Sequence, residues 1–289
     1  MKPVVSVITV CLNSAGTVAR AIESVLSQTY DNVEYIFIDG ASTDGTLDVL
    51  QAYRKYFSFF ISEKDNGIYS AMNKGISVTR GDLIIFLNAD DWYEQNALEV
   101  VTGAYSQNTY GFISARARAF SDTSMKTGVI PSFPWDESIR FRMPLRHETM
   151  LVPKDLYNRF GPYDERFRII SDFLFALELY EGGISHHEVD EVILNFNTAG
   201  ISSVALDHLY DERRFLMSTQ FPFLTGSEVS MLAIHGRMGP DDALTLARKY
   251  PNEHKLIQSI SALCRDKIRR GERPWTDRYA DLLSVQVIE

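Results

Sequence analysis

The chain has 289 residues, 45% of them hydrophobic and 23% charged, a composition typical of a globular protein. It carries 29 Lys and Arg against 38 Asp and Glu, and this formal charge of −9 argues against nucleic acid as the main partner. Its two cysteines lie far apart, and no apolar run approaches the ~20 residues that a membrane span needs. We therefore expect a cytoplasmic protein without a disulfide framework.

The first hundred residues alternate between strand and helix patterns. Four apolar, β-branched or aromatic runs predict buried strands, and helical stripes separate them. The runs cover residues 4–10, 33–38, 57–61 and 83–87. Because parallel strands need crossover helices, this strict alternation predicts right-handed βαβ units and a parallel sheet.

The fourth run ends abruptly at Asn88-Ala89-Asp90-Asp91. Ligands of open α/β sheets bind outside the carboxyl ends of the strands, and two adjacent carboxylates repel each other unless a cation lies between them. Oxygen ligands of this kind suit Mg²⁺ or Mn²⁺ bound together with a phosphate. A solvated turn that caps the helix beginning near Glu94 explains these four residues equally well.

After Tyr105 the pattern changes. Residues 110–118 alternate like an antiparallel strand, residues 140–152 read as a strand-containing segment, and residues 189–196 as a further strand. Helical stripes dominate from residue 205 onward. We predict a domain over residues 1–204, with halves at 1–105 and 106–204, followed by a small helical appendage over 205–289.

Several nucleotide and nucleophile motifs are absent from the sequence. The G-x-G-x-x-G fingerprint does not follow the first strand, and neither the G-x-x-x-x-G-K-[ST] loop nor the G-x-S-x-G elbow occurs. These absences argue against a NAD-dependent dehydrogenase, a P-loop ATPase and an α/β-hydrolase.

Five segments carry a resemblance to a known family. In chain order they are VSVITVCLN (5–13), AIESVLSQTY (21–30), DGASTDGT (39–46), GIYSAMNKG (67–75) and FLNADD (86–91). Together they resemble the family 2 glycosyltransferases over residues 4–204. The resemblance implies a GT-A fold, a Rossmann-like three-layer α/β sandwich with a mainly parallel central sheet. It also implies inverting transfer of a sugar from a nucleotide diphosphate sugar, usually with Mn²⁺ or Mg²⁺.

The resemblance assigns residues to the donor nucleotide sugar. Asp39 corresponds to the carboxylate that binds the base, uracil in the commonest case, and Thr9 and Val10 would flank that base through backbone groups. Three further residues are assigned to the donor, namely Asn13, Asp65 and Lys74. Lys74 could equally be a solvated lysine that favours the helix dipole.

The family's Asp-x-Asp motif corresponds to Asn88-Ala89-Asp90 in this chain. Asn88 would bind the ribose without contributing charge, so the metal is assigned to Asp90, with Asp91 as a second contact. The chain is thus one acid short of the family pattern.

The resemblance also supplies a catalytic base. Inverting displacement needs a group that takes the proton of the acceptor hydroxyl, and Asp172 in Ser171-Asp172-Phe173 corresponds to it. The alternative for Asp172 is a helix cap. His147 corresponds to a histidine near the acceptor in relatives, although a hydrogen-bonded structural histidine is as well supported.

The expected setting is bacterial surface polysaccharide synthesis, with a glycan or lipid-linked acceptor. The basic run 265–273 could contact anionic lipid at the inner face of the membrane, but a solvated helix face or an oligomer contact explains it better. Two other functions stay open, a sugar-phosphate nucleotidyltransferase and a non-catalytic nucleotide-sugar-binding module. The latter requires Asp172 to be dispensable or badly placed.

Overall fold

A computed structural model describes residues 2–107, 110–120, 128–200, 206–235 and 240–269. In this part of the chain the contacts divide the molecule into two compact units. The first comprises residues 1–132 and 145–206, and the second comprises 133–144 and 207–289. Residues 133–144 therefore group with the helices, which the predicted division at 204/205 did not anticipate.

The first unit contains nine strands and six helices within the described residues. The strands are β1 (Val5–Cys11), β2 (Val33–Asp39), β3 (Phe59–Ser62), β4 (Leu83–Asn88), β5 (Trp92–Tyr93), β6 (Phe112–Phe120), β7 (Gly128–Val129), β8 (Val152–Pro153) and β9 (His186–Asn197). The helices are α1 (Val18–Leu26), α2 (Thr46–Tyr53), α3 (Ile68–Val78), α4 (Ala97–Gln107), α5 (Lys154–Phe160) and α6 (Ser171–Glu181). Short 3₁₀ turns cover Arg54–Tyr56 and His147–Thr149.

A five-stranded sheet with the order β3-β2-β1-β4-β8 forms the centre of this unit. Strands β1 to β4 pair in parallel, as the alternation of apolar runs and helical stripes predicted, and only β8 runs antiparallel. Every residue of β1 is buried, because the strand lies between β2 and β4 and is covered on both faces. The mainly parallel α/β sheet predicted from the sequence is confirmed.

The register brings the strand ends to one edge of the sheet. Cys11 pairs with Asp39, Val10 pairs with Asn88, and Asp39 pairs with Ser62. The polar residues that follow the four strands in the sequence therefore lie side by side.

A second sheet has the order β5-β9-β6-β7. Strand β6 pairs in parallel with β9, with a register shift around Ala115–Ala117, so the antiparallel character predicted for residues 110–118 is wrong for its main partner. Exposure does not alternate along the strand either, because residues 112–115 are all buried and only Arg116, between the buried Ala115 and Ala117, faces solvent. The segment 140–152 contains little strand, because β8 begins only at Val152 and a 3₁₀ turn precedes it.

The second unit is helical within its described residues. Its helices are α7 (Leu206–Gln220), α8 (Gly226–His235), α9 (Pro240–Lys249) and α10 (His254–Arg269), and a 3₁₀ turn covers Glu137–Arg140. Arg140 is buried and fixes that turn, because its guanidinium donates to Glu137 at 2.7 Å and to Gln220 at 2.8 Å. None of the described helices is both long and apolar enough to cross a bilayer.

A pair of glycine substitutions tests how α3 packs on β1. A Cβ at Gly75 would lie 2.4 Å from Cγ2 of the fully buried Ile8, whereas a Cβ at Gly103 in α4 meets nothing within 4 Å. We expect Gly75→Ala to lower the free energy of unfolding by about 1–3 kcal/mol through overpacking. Gly103→Ala should raise it by up to about 1 kcal/mol, because alanine favours the helix. Urea denaturation checks both, and equal effects would contradict the packing.

Candidate active site

Asp39 lies fully buried at the end of β2 and organises the loops around it. Its carboxylate accepts hydrogen bonds from the Ser42 hydroxyl (2.5 Å), the Ser42 amide (3.1 Å), the Ser62 hydroxyl (2.6 Å) and the Cys11 thiol (3.2 Å). Burial alone would raise the pKa of Asp39, but these hydrogen bonds hold it below its usual value. Both oxygens already have partners, so the base contact assigned to Asp39 stays a prediction.

Thr9 and Val10 lie inside β1, where each pairs with β2 on one side and β4 on the other. Their backbone groups therefore take part in the pairing of the sheet. At Cys11 the strand pairs with β2 alone. Asn13 lies in the loop beyond, where its side-chain oxygen accepts from the Thr43 amide at 2.9 Å. It joins the loops that follow β1 and β2.

Asp65 and Lys74 lie beside the same edge. The Asp65 carboxylate lies over Gly40, since a Cβ built on Gly40 would be 2.7 Å from Asp65 Oδ2. It also accepts from the Gly67 amide at the start of α3 (2.9 Å). Lys74 forms an ion pair with Glu63 at 2.9 Å, and its assignment to the donor stays a prediction.

The segment Asn88–Asp91 follows β4 and turns away from the sheet. Asp91 is only 1% exposed, and its carboxylate accepts a hydrogen bond from the backbone amide of Asn197 at 2.7 Å. This bond fixes the end of β9. Asp90 is half-buried, and a Cβ on Gly200 would lie 3.4 Å from its Oδ2. The residues that follow Gly200, 201–205, lie outside the described residues.

Burial raises the pKa of Asp90, and the nearby charge of Glu148 raises it further. Burial also raises the pKa of Asp91 well above its usual range, and the charges of Glu148 and Asp90 add to this effect. A cation would relieve this repulsion. Arg20 supplies part of that charge, because its guanidinium stacks 3.8 Å from the Trp92 ring centroid and donates to the Asp90 carbonyl at 3.3 Å.

The carboxylates of Asp90 and Asp91 can be judged as ligands for a metal ion. Among the described residues, no three His, Cys, Asp or Glu side chains are arranged to hold a metal by themselves. Mg²⁺ sites in phosphate-transfer enzymes often use only one or two carboxylates and complete the shell with substrate phosphates. Asp90 suits such a shared site, whereas Asp91 is sealed in the interior.

Asp172 lies in the first turn of α6 and is held by two side chains. Its Oδ1 accepts from the Tyr69 hydroxyl at 2.8 Å, and its Oδ2 lies 3.2 Å from Nδ1 of His147. Ile170 stands at the N-cap of α6, and its side chain makes no cap hydrogen bond. The Asp172 carboxylate therefore has two partners distant in the sequence in addition to the Phe173 backbone amide of its own helix turn.

A series of contacts joins Asp172 to the strand-end motif, the segment Asn88–Asp91. Nδ1 of His147 also lies 3.3 Å from Oε2 of Glu148, and Oε1 of Glu148 accepts from the Asn88 amide at 2.7 Å. Glu148 is 1% exposed, and the Tyr93 hydroxyl anchors its carbonyl at 2.9 Å. Tyr69 and Glu148 complete the site, and neither was assigned a role from the sequence.

The charges around His147 favour its protonated form. Burial opposes a charge on His147, but Glu148 and the hydrogen bond to Asp172 raise its pKa above the usual value. Burial likewise opposes ionisation of Asp172, but His147 and Tyr69 lower its pKa below the usual value. An imidazolium between two carboxylates is therefore the favoured arrangement.

Four buried polar atoms around these contacts have no hydrogen-bond partner among the described residues. They are Asn88 Oδ1, His147 Nε2, Ser171 Oγ and Glu148 Oε2, the last of which has only its ion-pair contact with His147. Buried polar atoms are normally satisfied, and exceptions in one place point to a bound ligand or water. Their concentration beside Asp172 supports this group of residues as the candidate active site.

The pKa shift of His147 predicts a pH effect on stability. A raised folded-state pKa stabilises the fold fully below the unfolded value of about 6.5 and ceases to do so as pH rises through the folded pKa. The difference in free energy of unfolding between the wild type and His147→Gln should therefore be largest near pH 6. Urea denaturation from pH 6 to 9 measures it, and a constant difference would contradict the assigned charge.

Comparison with known proteins shows the family of this chain. The model of the family described as "Glycosyl transferase family 2" matches residues 6–177. A "PGL/p-HBAD biosynthesis glycosyltransferase" of Mycobacterium bovis (strain BCG / Pasteur 1173P2) is 27% identical over 229 residues, covering 75% of this chain and 86% of the relative. An "Uncharacterized glycosyltransferase" of Mycobacterium tuberculosis (strain ATCC 25618 / H37Rv) is 30% identical over 210 residues, covering 70% and 78%.

Solved structures share the fold. S. aureus TarS 1-349 in complex with UDP-GlcNAc has a TM-score of 0.64 at 13% identity and covers 93% of this chain and 92% of its own. The mannosyltransferase PcManGT from Pyrobaculum calidifontis, in complex with GDP-Man and Mn²⁺, has a TM-score of 0.59 at 18% identity, with coverage of 99% and 87%. The family match spans more than half of the chain. The chain therefore belongs to glycosyl transferase family 2, and it is a glycosyltransferase with the GT-A fold.

Proposed function

We propose that this glycosyltransferase moves a sugar from a UDP-sugar to a hydroxyl of a glycan or lipid-linked acceptor, with inversion at the anomeric carbon. The observation that carries the proposal is the Asp172 carboxylate, which Tyr69 and His147 hold in place and in its ionised form. The donor class is supported by the solved TarS complex with UDP-GlcNAc. The setting in surface polysaccharide synthesis rests on the sequence resemblance alone.

The proposed mechanism is a single displacement. Asp172 accepts the proton of the acceptor hydroxyl as its oxygen bonds to the anomeric carbon. The bond from that carbon to the phosphate oxygen breaks, and its electron pair leaves with the nucleoside diphosphate. His147 stabilises the ionised base before the reaction, and Tyr69 fixes the direction of its Oδ1.

We assign the divalent cation, Mn²⁺ or Mg²⁺, to Asp90 and the substrate diphosphate. Such an ion would neutralise the charge that develops on the leaving group. A second contact through Asp91 is less well supported, because that carboxylate is buried and bonded to the Asn197 amide. The solved complex of PcManGT with GDP-Man and Mn²⁺ supports divalent metal use in this fold.

The rival functions have less support. The family match favours sugar transfer over nucleotidyl transfer. The non-catalytic module required a badly placed Asp172, whereas this carboxylate has two side-chain partners. The side chains of the basic run 265–273 lie outside the described residues, so contact with anionic lipid stays a prediction.

Asp172→Asn tests the base. We expect UDP release from a panel of UDP-sugars, in the presence of candidate acceptors, to slow by about 100-fold or more, because general-base catalysis contributes that much. UDP affinity should stay within about twofold of the wild type. The matched control is Asp164→Asn, which alters a half-buried acid that is paired with the exposed Arg166, and it should retain activity. Retained turnover in Asp172→Asn would refute the assignment.

Asp90→Asn tests the cation. Calorimetry of UDP binding with and without Mn²⁺ should show metal-enhanced affinity in the wild type and little enhancement in the variant, because the carboxylate ligand is lost. Asp164→Asn again serves as the control. An unchanged Mn²⁺ effect in Asp90→Asn would move the ligand elsewhere.

A further inference from the structure

The donor side of the site carries an excess of negative charge. A nucleoside diphosphate brings further negative charge to this place, so it needs positive partners. The carboxylates around the strand-end motif are Asp90, Asp91 and Glu148, with Asp172 beyond His147, and the cationic side chains among them are Arg20, Arg146 and His147. Lys74, which is also assigned to the donor, is paired with Glu63.

Two of these three cations are already committed. His147 lies between Asp172 and Glu148. Arg20 is stacked on Trp92 and donates from one terminal nitrogen to the Asp90 carbonyl, while its buried Nε has no partner among the described residues. Arg146 differs from both. Within the part of the chain that the structure describes, its guanidinium has neither a hydrogen bond nor a carboxylate at ion-pair distance.

The ring of Phe196 holds this guanidinium in place. The central carbon of the guanidinium lies 4.4 Å from the ring centroid, a cation–π distance, and the residue is half-buried. The backbone is fixed as well, because the Arg146 carbonyl accepts from the Thr149 amide at 3.0 Å and from its hydroxyl at 2.8 Å. Arg146 is therefore a positioned cation rather than a mobile surface arginine.

Its position belongs to the donor side. Phe196 directly precedes Asn197, whose amide donates to Asp91, and Gly200 three residues further on lies against Asp90. The charge of Arg146 also reaches Asp91, where it opposes the rise in pKa that burial causes. The guanidinium thus stands where β9 meets the strand-end motif.

We propose that Arg146 binds the β-phosphate of the donor nucleoside diphosphate and stabilises it as the leaving group. A guanidinium offers five N–H donors in a fork that matches two phosphate oxygens. As the bond between the anomeric carbon and the phosphate oxygen breaks, the electron pair moves onto that phosphate beside Arg146. This inference rests on the proposed function, because it requires a nucleotide diphosphate sugar as donor.

Calorimetric titration of the full chain with UDP and UMP in the presence of Mn²⁺ tests the proposal. A charged hydrogen-bond pair is worth enough that Arg146→Gln should weaken UDP binding by about tenfold to a hundredfold. UMP lacks the β-phosphate, so its affinity should change less than about threefold. Arg146→Lys should recover part of the UDP affinity. Arg116→Gln is the matched control, since Arg116 is exposed on β6 and paired with Asp190 at 2.9 Å.

The outcomes separate the two proposals. A selective loss of UDP affinity in Arg146→Gln, absent from Arg116→Gln, supports the assignment. Unchanged UDP binding in Arg146→Gln, or an equal loss of UDP and UMP affinity, overturns the assignment alone. Failure of the wild type to bind UDP overturns the proposed UDP-sugar donor as well.

Discussion

The contact of His147 with two carboxylates is the interaction on which the rest of the site depends. A single ring nitrogen lies 3.2 Å from Asp172 and 3.3 Å from Glu148. Removing either carboxylate would leave an imidazolium in the interior with half of its compensation, and removing the ring would bring two acids together without a cation. The ionised state of Asp172 and the geometry of Glu148 are therefore properties of the three residues together.

The parallel sheet brings these residues together. Parallel register places Cys11, Asp39 and Asn88 at one edge, and the 3₁₀ turn that precedes β8 carries His147 and Glu148 to the same edge. Helix α3 contributes Tyr69 and packs on β1. The absence of a side chain at Gly75 allows this helix to approach Ile8 closely. The close packing of helix on strand thus helps to fix the position of Tyr69 relative to Asp172.

The sequence predicted what depends on local patterns. Alternating apolar runs and helical stripes predicted the parallel sheet, and this fold class is confirmed, as is the family. The resemblance selected Asp172 and His147, which the structure brings into contact, but it did not select Glu148. Contacts between Tyr69 and Asp172 span 103 residues and those between Asn88 and Glu148 span 60, so no local period could reveal them. The antiparallel pairing predicted for β6 was wrong for the same reason, because an alternating pattern in the sequence does not identify the partner strand.

Asn88 shows how such a distant contact changes the meaning of a motif. In the family's Asp-x-Asp motif this position is acidic, whereas Asn88 carries no charge. In the structure its amide donates to Glu148 at 2.7 Å, and an aspartate at the same place would set two carboxylates against each other in the interior. One of them would then have to bind a proton, and the balance of charge around His147 would change. The amide at position 88 and the buried acid at position 148 are thus complementary. The carboxylate that contacts His147 together with Asp172 comes from the turn before β8 and not from the strand-end motif.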